Sequence, residues 1–295
     1  MIDGLRREFP AATGWVTRLR QPTVAREPVG WAFLSAAGAG FIVGGIVGLM
    51  LFAMLPILFP VTEPRPSWLT YPVITQTAAS IAVGAVAMRS GGPAALALYV
   101  LYQLALIVAG FPARQRSCSF VNPAFPQTCD IPSLIVARWP MWLALAIGAA
   151  GSPWLLRTRD AGVNQLLRGA GVFAVGLTLA TTLYGVLTIA TLSFRQSSFD
   201  FIFTAVYVLG ALIAGVLAGV VLRRAPAAAS VLVAALILSS LASSLPLVIR
   251  NSIPNMPLEM AYLQWSGVVA TVLGAAGVLI VRLVASRERA PGTIS

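Results

Sequence analysis

Eight stretches of at least 18 residues contain no Asp, Glu, Arg or Lys. They run over 30–62, 66–88, 90–113, 139–156, 169–194, 201–222, 225–249 and 260–281. A helix needs about 20 apolar residues to cross the hydrocarbon core of a bilayer, so each stretch predicts a transmembrane helix. Composition agrees. Hydrophobic residues make up 58% of the 295 and charged residues 10%, against roughly 25% charged in a soluble domain. A soluble fold of this length cannot bury so much apolar surface, which excludes a water-soluble enzyme. The expected fold class is all-α: a polytopic membrane helix bundle.

Charge placement sets the expected topology. All 20 basic residues are arginine. With the N-terminus inside, 14 arginines fall on the inner side and six on the outer. By the positive-inside rule the N- and C-termini are cytoplasmic and the membrane is the plasma (inner) membrane. The fourth stretch is the shortest. It is expected to begin near Ser133, with Arg138 snorkelling to the outer surface. Pro56 and Pro60 should bound the outer end of the first. Four outer acids, Glu63, Asp130, Asp200 and Glu259, precede or open helices that start outside, where a carboxylate suits the positive end of the macrodipole. Residues 1–29 form a basic N-terminal segment. Within it, Thr13 to Arg20 reads either as a short interfacial helix or as a tail held to anionic lipid by charge. Five arginines spread over 26 residues are too sparse for a nucleic-acid interface.

The stretches fall into two sets of four. Gly38-Ala39-Gly40 matches Gly169-Ala170-Gly171 at an offset of 131. The turn ending in Pro93 matches the turn ending in Pro226 at 133. Trp139 with Gly148-Ala149-Ala150-Gly151 matches Trp265 with Gly274-Ala275-Ala276-Gly277 at 126. Four is even, so the copies point the same way: two parallel four-helix repeats related by an axis along the membrane normal. The expected division is a first repeat over 30–160, a second over 161–286, and a cytoplasmic tail over 287–295. An outer loop over 112–132 in the first repeat holds both cysteines, Cys118 and Cys129. Outside the cell a pair at that spacing forms a structural disulfide, and it lacks the CxxC spacing of redox enzymes.

Candidate binding residues are the polar ones at mid-depth. Gln76 and Gln103 lie near the centres of consecutive antiparallel stretches, and an unpaired amide in hydrocarbon costs several kcal/mol. Both should therefore face the bundle, paired with each other or with backbone, or lining a pocket with Tyr102. Thr181 and Ser240 belong to mid-depth hydroxyl clusters that either tighten helix contacts or touch a polar ligand. Small-residue steps, Gly40-Gly44-Gly48 and Gly215-Gly219, suit close helix packing. The chain has no histidine, which removes His-based catalysis, His metal ligands and haem ligation through His. No P-loop, HExxH or GxSxG motif occurs, and no acid sits at the centre of a stretch. No enzyme chemistry, cofactor or metal is expected. The reading is a non-enzymatic facilitator or binding protein for a neutral or lipid-like small molecule. The alternative is an accessory or scaffold subunit of a larger membrane complex. Expected partners are the lipid bilayer and either a membrane-protein partner or a second copy of the chain, with no nucleic acid.

Overall fold

A computed structural model describes residues 27–58, 70–121, 130–155, 161–190, 196–250 and 258–287. These residues form nine helices and no strand. In chain order they are α1 (Val29–Leu58), α2 (Thr70–Ser90), α3 (Pro93–Val121), α4 (Ile131–Ala137), α5 (Trp139–Leu155), α6 (Ala161–Ala190), α7 (Gln196–Val221), α8 (Pro226–Arg250) and α9 (Leu258–Arg287). Among the described residues four segments are long and apolar enough to cross a membrane: Val29–Leu51, Pro93–Phe111, Ala161–Leu183 and Val268–Arg287. The bent pair α4–α5 makes a fifth if taken as one span. The elements formed by the described residues are thus all helical, with several helices fit for membrane insertion.

Local sequence explains the helix boundaries. Gly92 adopts φ 68°, a left-handed conformation open to glycine. It turns the chain sharply between α2 and α3, which starts at Pro93. Proline also opens α8 at Pro226, where its missing N–H costs nothing. α1 runs through Pro56 and ends at Leu58. Asp130 caps α4 by accepting a 2.9 Å hydrogen bond from the Ser133 amide, which agrees with the role expected for an acid at a helix start. These Ser133 hydrogen bonds, side chain first and then backbone, hold the Asp130 carboxyl below its ordinary pKa. The Asp200 and Glu259 side chains, the residue Glu63 and the whole N-terminal segment before Glu27 lie outside what the structure describes.

Three boundaries differ from the sequence expectation. α3 continues to Val121, so the first part of the expected cysteine loop is helical. Helix propagation is cooperative once nucleated, and it does not stop where the apolar residues do. Cys118 therefore lies on α3, while Cys129 and the Cys118 side chain are outside the described set. α6 begins at Ala161, eight residues before the charge-free stretch, and Arg168 is inside a helix. The fourth stretch is a helix pair bent by 53°. Arg138, at φ −92° and ψ 15°, marks the break. Pro140 explains it: lacking an N–H, it cannot bond one turn back, and its ring crowds the carbonyl there. The Trp142 indole N–H braces the corner by donating to the Ile135 carbonyl at 3.0 Å.

Packing joins the helices along small-residue crossings. α1 lies against α2 and α6, α2 against α5, α6 against α7, and α9 against both α7 and α8. One buried cluster includes Ala32, Ala36, Val83, Ala87 and Leu145. The other centres on Phe173, Leu222, Leu232, Leu236 and Val278. Phe173 is fully buried, edge-on to Phe41 with ring centroids 5.7 Å apart.

Candidate functional site

The main contact that joins α1–α5 to α6–α9 is the crossing of α1 and α6. A Cβ added at Gly38 would overlap the carbonyl oxygen of Leu167, and one at Gly171 would overlap that of Leu34. The two backbones touch, as expected where glycines let membrane helices approach closely. Ala36, Ala39 and Ala170 are buried beside the crossing.

At one end of this seam sits a charged cluster. Arg168 Nη2 lies 3.2 Å from Glu27 Oε2, and both side chains are largely buried, at 26% and 17% exposure. The guanidinium also stacks over Trp31, 5.2 Å from the ring centroid, a cation–π contact strengthened by desolvation. The Glu27 amide donates to the Ser90 carbonyl at 3.0 Å, so the residues before α1 cross the turn between α2 and α3. Arg168 Nε, Asn164 Oδ1 and the fully buried Ser35 Oγ lack hydrogen-bond partners. The cluster is a clamp between α1, α6 and the α2–α3 turn.

Farther along the seam, α3 brings aromatic and amide groups to α1 and α6. Phe33 meets Tyr102 edge-on at 5.4 Å and Tyr99 at 6.2 Å. The Gln103 amide donates to the Tyr99 hydroxyl at 3.0 Å, and the Tyr102 ring lies 6.2 Å from that of Tyr99. Tyr102 and Gln103 thus belong to one polar cluster. Gln76 does not: its side chain is exposed on α2, and Gln103 finds Tyr99 instead. Thr181 is exposed and donates to the Thr178 carbonyl of its own helix at 2.7 Å. Ser240 is buried between α8 and α9, 3.5 Å from the Val268 carbonyl. The five residues chosen from sequence therefore separate onto four helices, and the structure gathers two of them.

The Glu27–Arg168–Trp31 clamp was not singled out from sequence. Its signal was present: Glu27 is the acid adjoining the first charge-free stretch, and Arg168 closes the approach to the fifth. Nothing in a single sequence says that these two ends meet. No family model, curated protein or solved structure matches the chain, so the functional reading rests on the chain's own residues.

Proposed function

We propose that this protein is a non-catalytic scaffold or accessory subunit of a larger membrane complex, built as eight spans in two parallel four-helix repeats. In this reading both termini are cytoplasmic and the membrane is the plasma membrane. The observation that carries it is the α1–α6 crossing. Two-repeat transporters bind their cargo between the repeats, and here backbone lies against backbone at Gly38 and Gly171. Where α1 crosses α6, glycine and alanine bring backbone against backbone and leave no room for cargo between them.

The repeat itself gains support from the crossings. Gly84 would meet the Leu145 carbonyl and Gly148 the Ile81 carbonyl; Gly215 would meet the Gly274 carbonyl and Gly277 the Leu212 carbonyl. The contact pattern pairs Gly84 with Gly215 and Gly148 with Gly277, at offsets of 131 and 129. The second offset differs by three residues, close to one helical turn, from the 126 of the Gly-Ala-Ala-Gly match. A Cys118–Cys129 disulfide belongs to the same topology, and intact mass after alkylation without reductant tests it.

The deciding experiment is native mass spectrometry of the protein extracted gently from its own membrane. A protein partner at fixed stoichiometry supports the subunit reading. A lone chain that carries a solute into liposomes overturns it. The Phe33–Tyr99–Tyr102–Gln103 cluster favours a second reading, a binding protein for a neutral or lipid-like molecule. That reading predicts that Gln103→Leu removes a bound small molecule while the fold persists.

A further inference from the structure

The arginine-bearing ends of α7 and α9 and the start of α8 border a cavity of about 270 Å³. That is just under the low end of the roughly 300–1,000 Å³ range of small-ligand clefts. Buried Leu222, Ala229 and Val278 form its floor, while exposed Arg223, Arg282 and Ser286 stand at its rim. Among the described residues no acidic side chain lines it. A second, more open hollow of about 600 Å³ adjoins it, bordered by Val220, Val221, Arg223 and Arg224.

Arg282 is held in place. Its Nη1 donates to the Ser230 hydroxyl at 2.6 Å, and Ser230 in turn donates to the Pro226 carbonyl at 3.0 Å. One of the five guanidinium N–H donors is thereby used for positioning. The cavity also faces the start of α8, where Pro226 lines it and the positive end of the helix dipole favours an anion. Dipole pairing with the ends of α7 and α9 would account for each arginine singly. It does not account for an apolar-floored cavity shared by the two.

The corresponding turn in the first half is closed. There, Ser90 is buried and its carbonyl accepts from Glu27. A Cβ at Gly91 would lie 2.6 Å from Ala32 and Ala95. The first turn is packed and supplied with an acid, whereas the second is open with arginines at its edge.

We propose that the cavity between α7, α8 and α9 binds a phosphate-bearing anion, with Arg223 and Arg282 on the phosphate and Leu222, Ala229 and Val278 beneath its apolar remainder. An apolar floor under a cationic rim matches the headgroup region of an anionic phospholipid. An inorganic phosphate would use the same arginines and leave the floor idle.

The test uses the full chain in mild detergent and native mass spectrometry with phosphatidylglycerol, phosphatidylcholine or inorganic phosphate added. Phosphatidylglycerol is expected to bind one to one and more tightly than phosphatidylcholine. A basic residue near an anionic lipid contributes about 1 kcal/mol, which is about fivefold in affinity. Arg223→Gln and Arg282→Gln should each weaken binding about fivefold, and the double variant about 25-fold. Arg89→Gln, at the packed turn, should change nothing, and unchanged unfolding midpoints will show that the variants fold. Competition by inorganic phosphate would support the site and assign it to a soluble anion; binding without such competition would support it and assign it to lipid. Equal binding of the two lipids, or equal loss in Arg89→Gln, would overturn the proposal.

Discussion

Replacing Gly38 by alanine adds one methyl group where α1 and α6 touch. That methyl would overlap the Leu167 carbonyl oxygen and sit 2.7 Å from the Gly171 nitrogen. Neither atom belongs to a flexible side chain, so the helices must separate. Overpacking of this kind costs about 1–3 kcal/mol. Gly45, on the same helix, provides the control. It has nothing within 4 Å of its ideal Cβ, so Gly45→Ala should gain up to about 1 kcal/mol from better helix propensity. The expected gap between the two variants is therefore about 1–4 kcal/mol. Reversible unfolding in mixed detergent micelles containing increasing dodecyl sulfate measures it. Adding Gly171→Ala to Gly38→Ala should cost less than the two single changes summed, because one separation of the helices relieves both. If Gly38→Ala unfolds at the same point as Gly45→Ala, the backbones do not touch and the closed seam is wrong.

Three further outcomes follow from the packing and the charges. Phe173→Ala empties a fully buried position and should cost about 3–5 kcal/mol in the same assay. Arg168→Gln strands the Glu27 carboxylate, and the expected loss is about 1–2 kcal/mol, below the 3–5 of a fully buried pair because both side chains keep some water. Adding Glu27→Gln should recover part of that loss in a double-mutant cycle. Asp130 has a carboxyl held below its ordinary value of 3.8 by its Ser133 hydrogen bonds. Its capping contribution is therefore fully present above that value and is lost as the pH falls through the lower folded one. Amide exchange at Ser133 should accelerate across that acid range, and Asp130→Asn should abolish the pH dependence.

What sequence can show here follows the physics of each element. The helices were legible because a charge-free run of 20 residues has few other fates. Boundaries were less so. The end of α3 at Val121 and the start of α6 at Ala161 lie in polar residues, where hydrophobicity carries no signal about helix length. The break at Arg138 was encoded locally by Pro140, but the 53° bend depends on what α4 and α5 pack against. The candidate site was the least legible part. Depth along a span can be counted, which brought out Gln76 and Gln103, but rotation about the helix axis cannot be counted without an amphipathic pattern. These helices show almost none, since lipid and neighbouring helices are equally apolar. Gln76 therefore ends exposed, while Gln103 bonds Tyr99.

The two halves share their crossings and differ at their turns, and the difference traces to what precedes each half. Before α1 the chain leaves helical geometry at Glu27 and Pro28, and Glu27 reaches across to Ser90 and Arg168. The acid that crosses the turn thus pairs with the arginine of the other half. Before the second half the chain is already helical from Ala161, and among the described residues no extended segment crosses the turn between α7 and α8. The small residues that would line such a contact remain, Gly219 and Ala229 among them, but nothing among the described residues covers them. In the proposed reading, the first turn is sealed by Glu27, and the second presents Arg223 and Arg282 to an external anion.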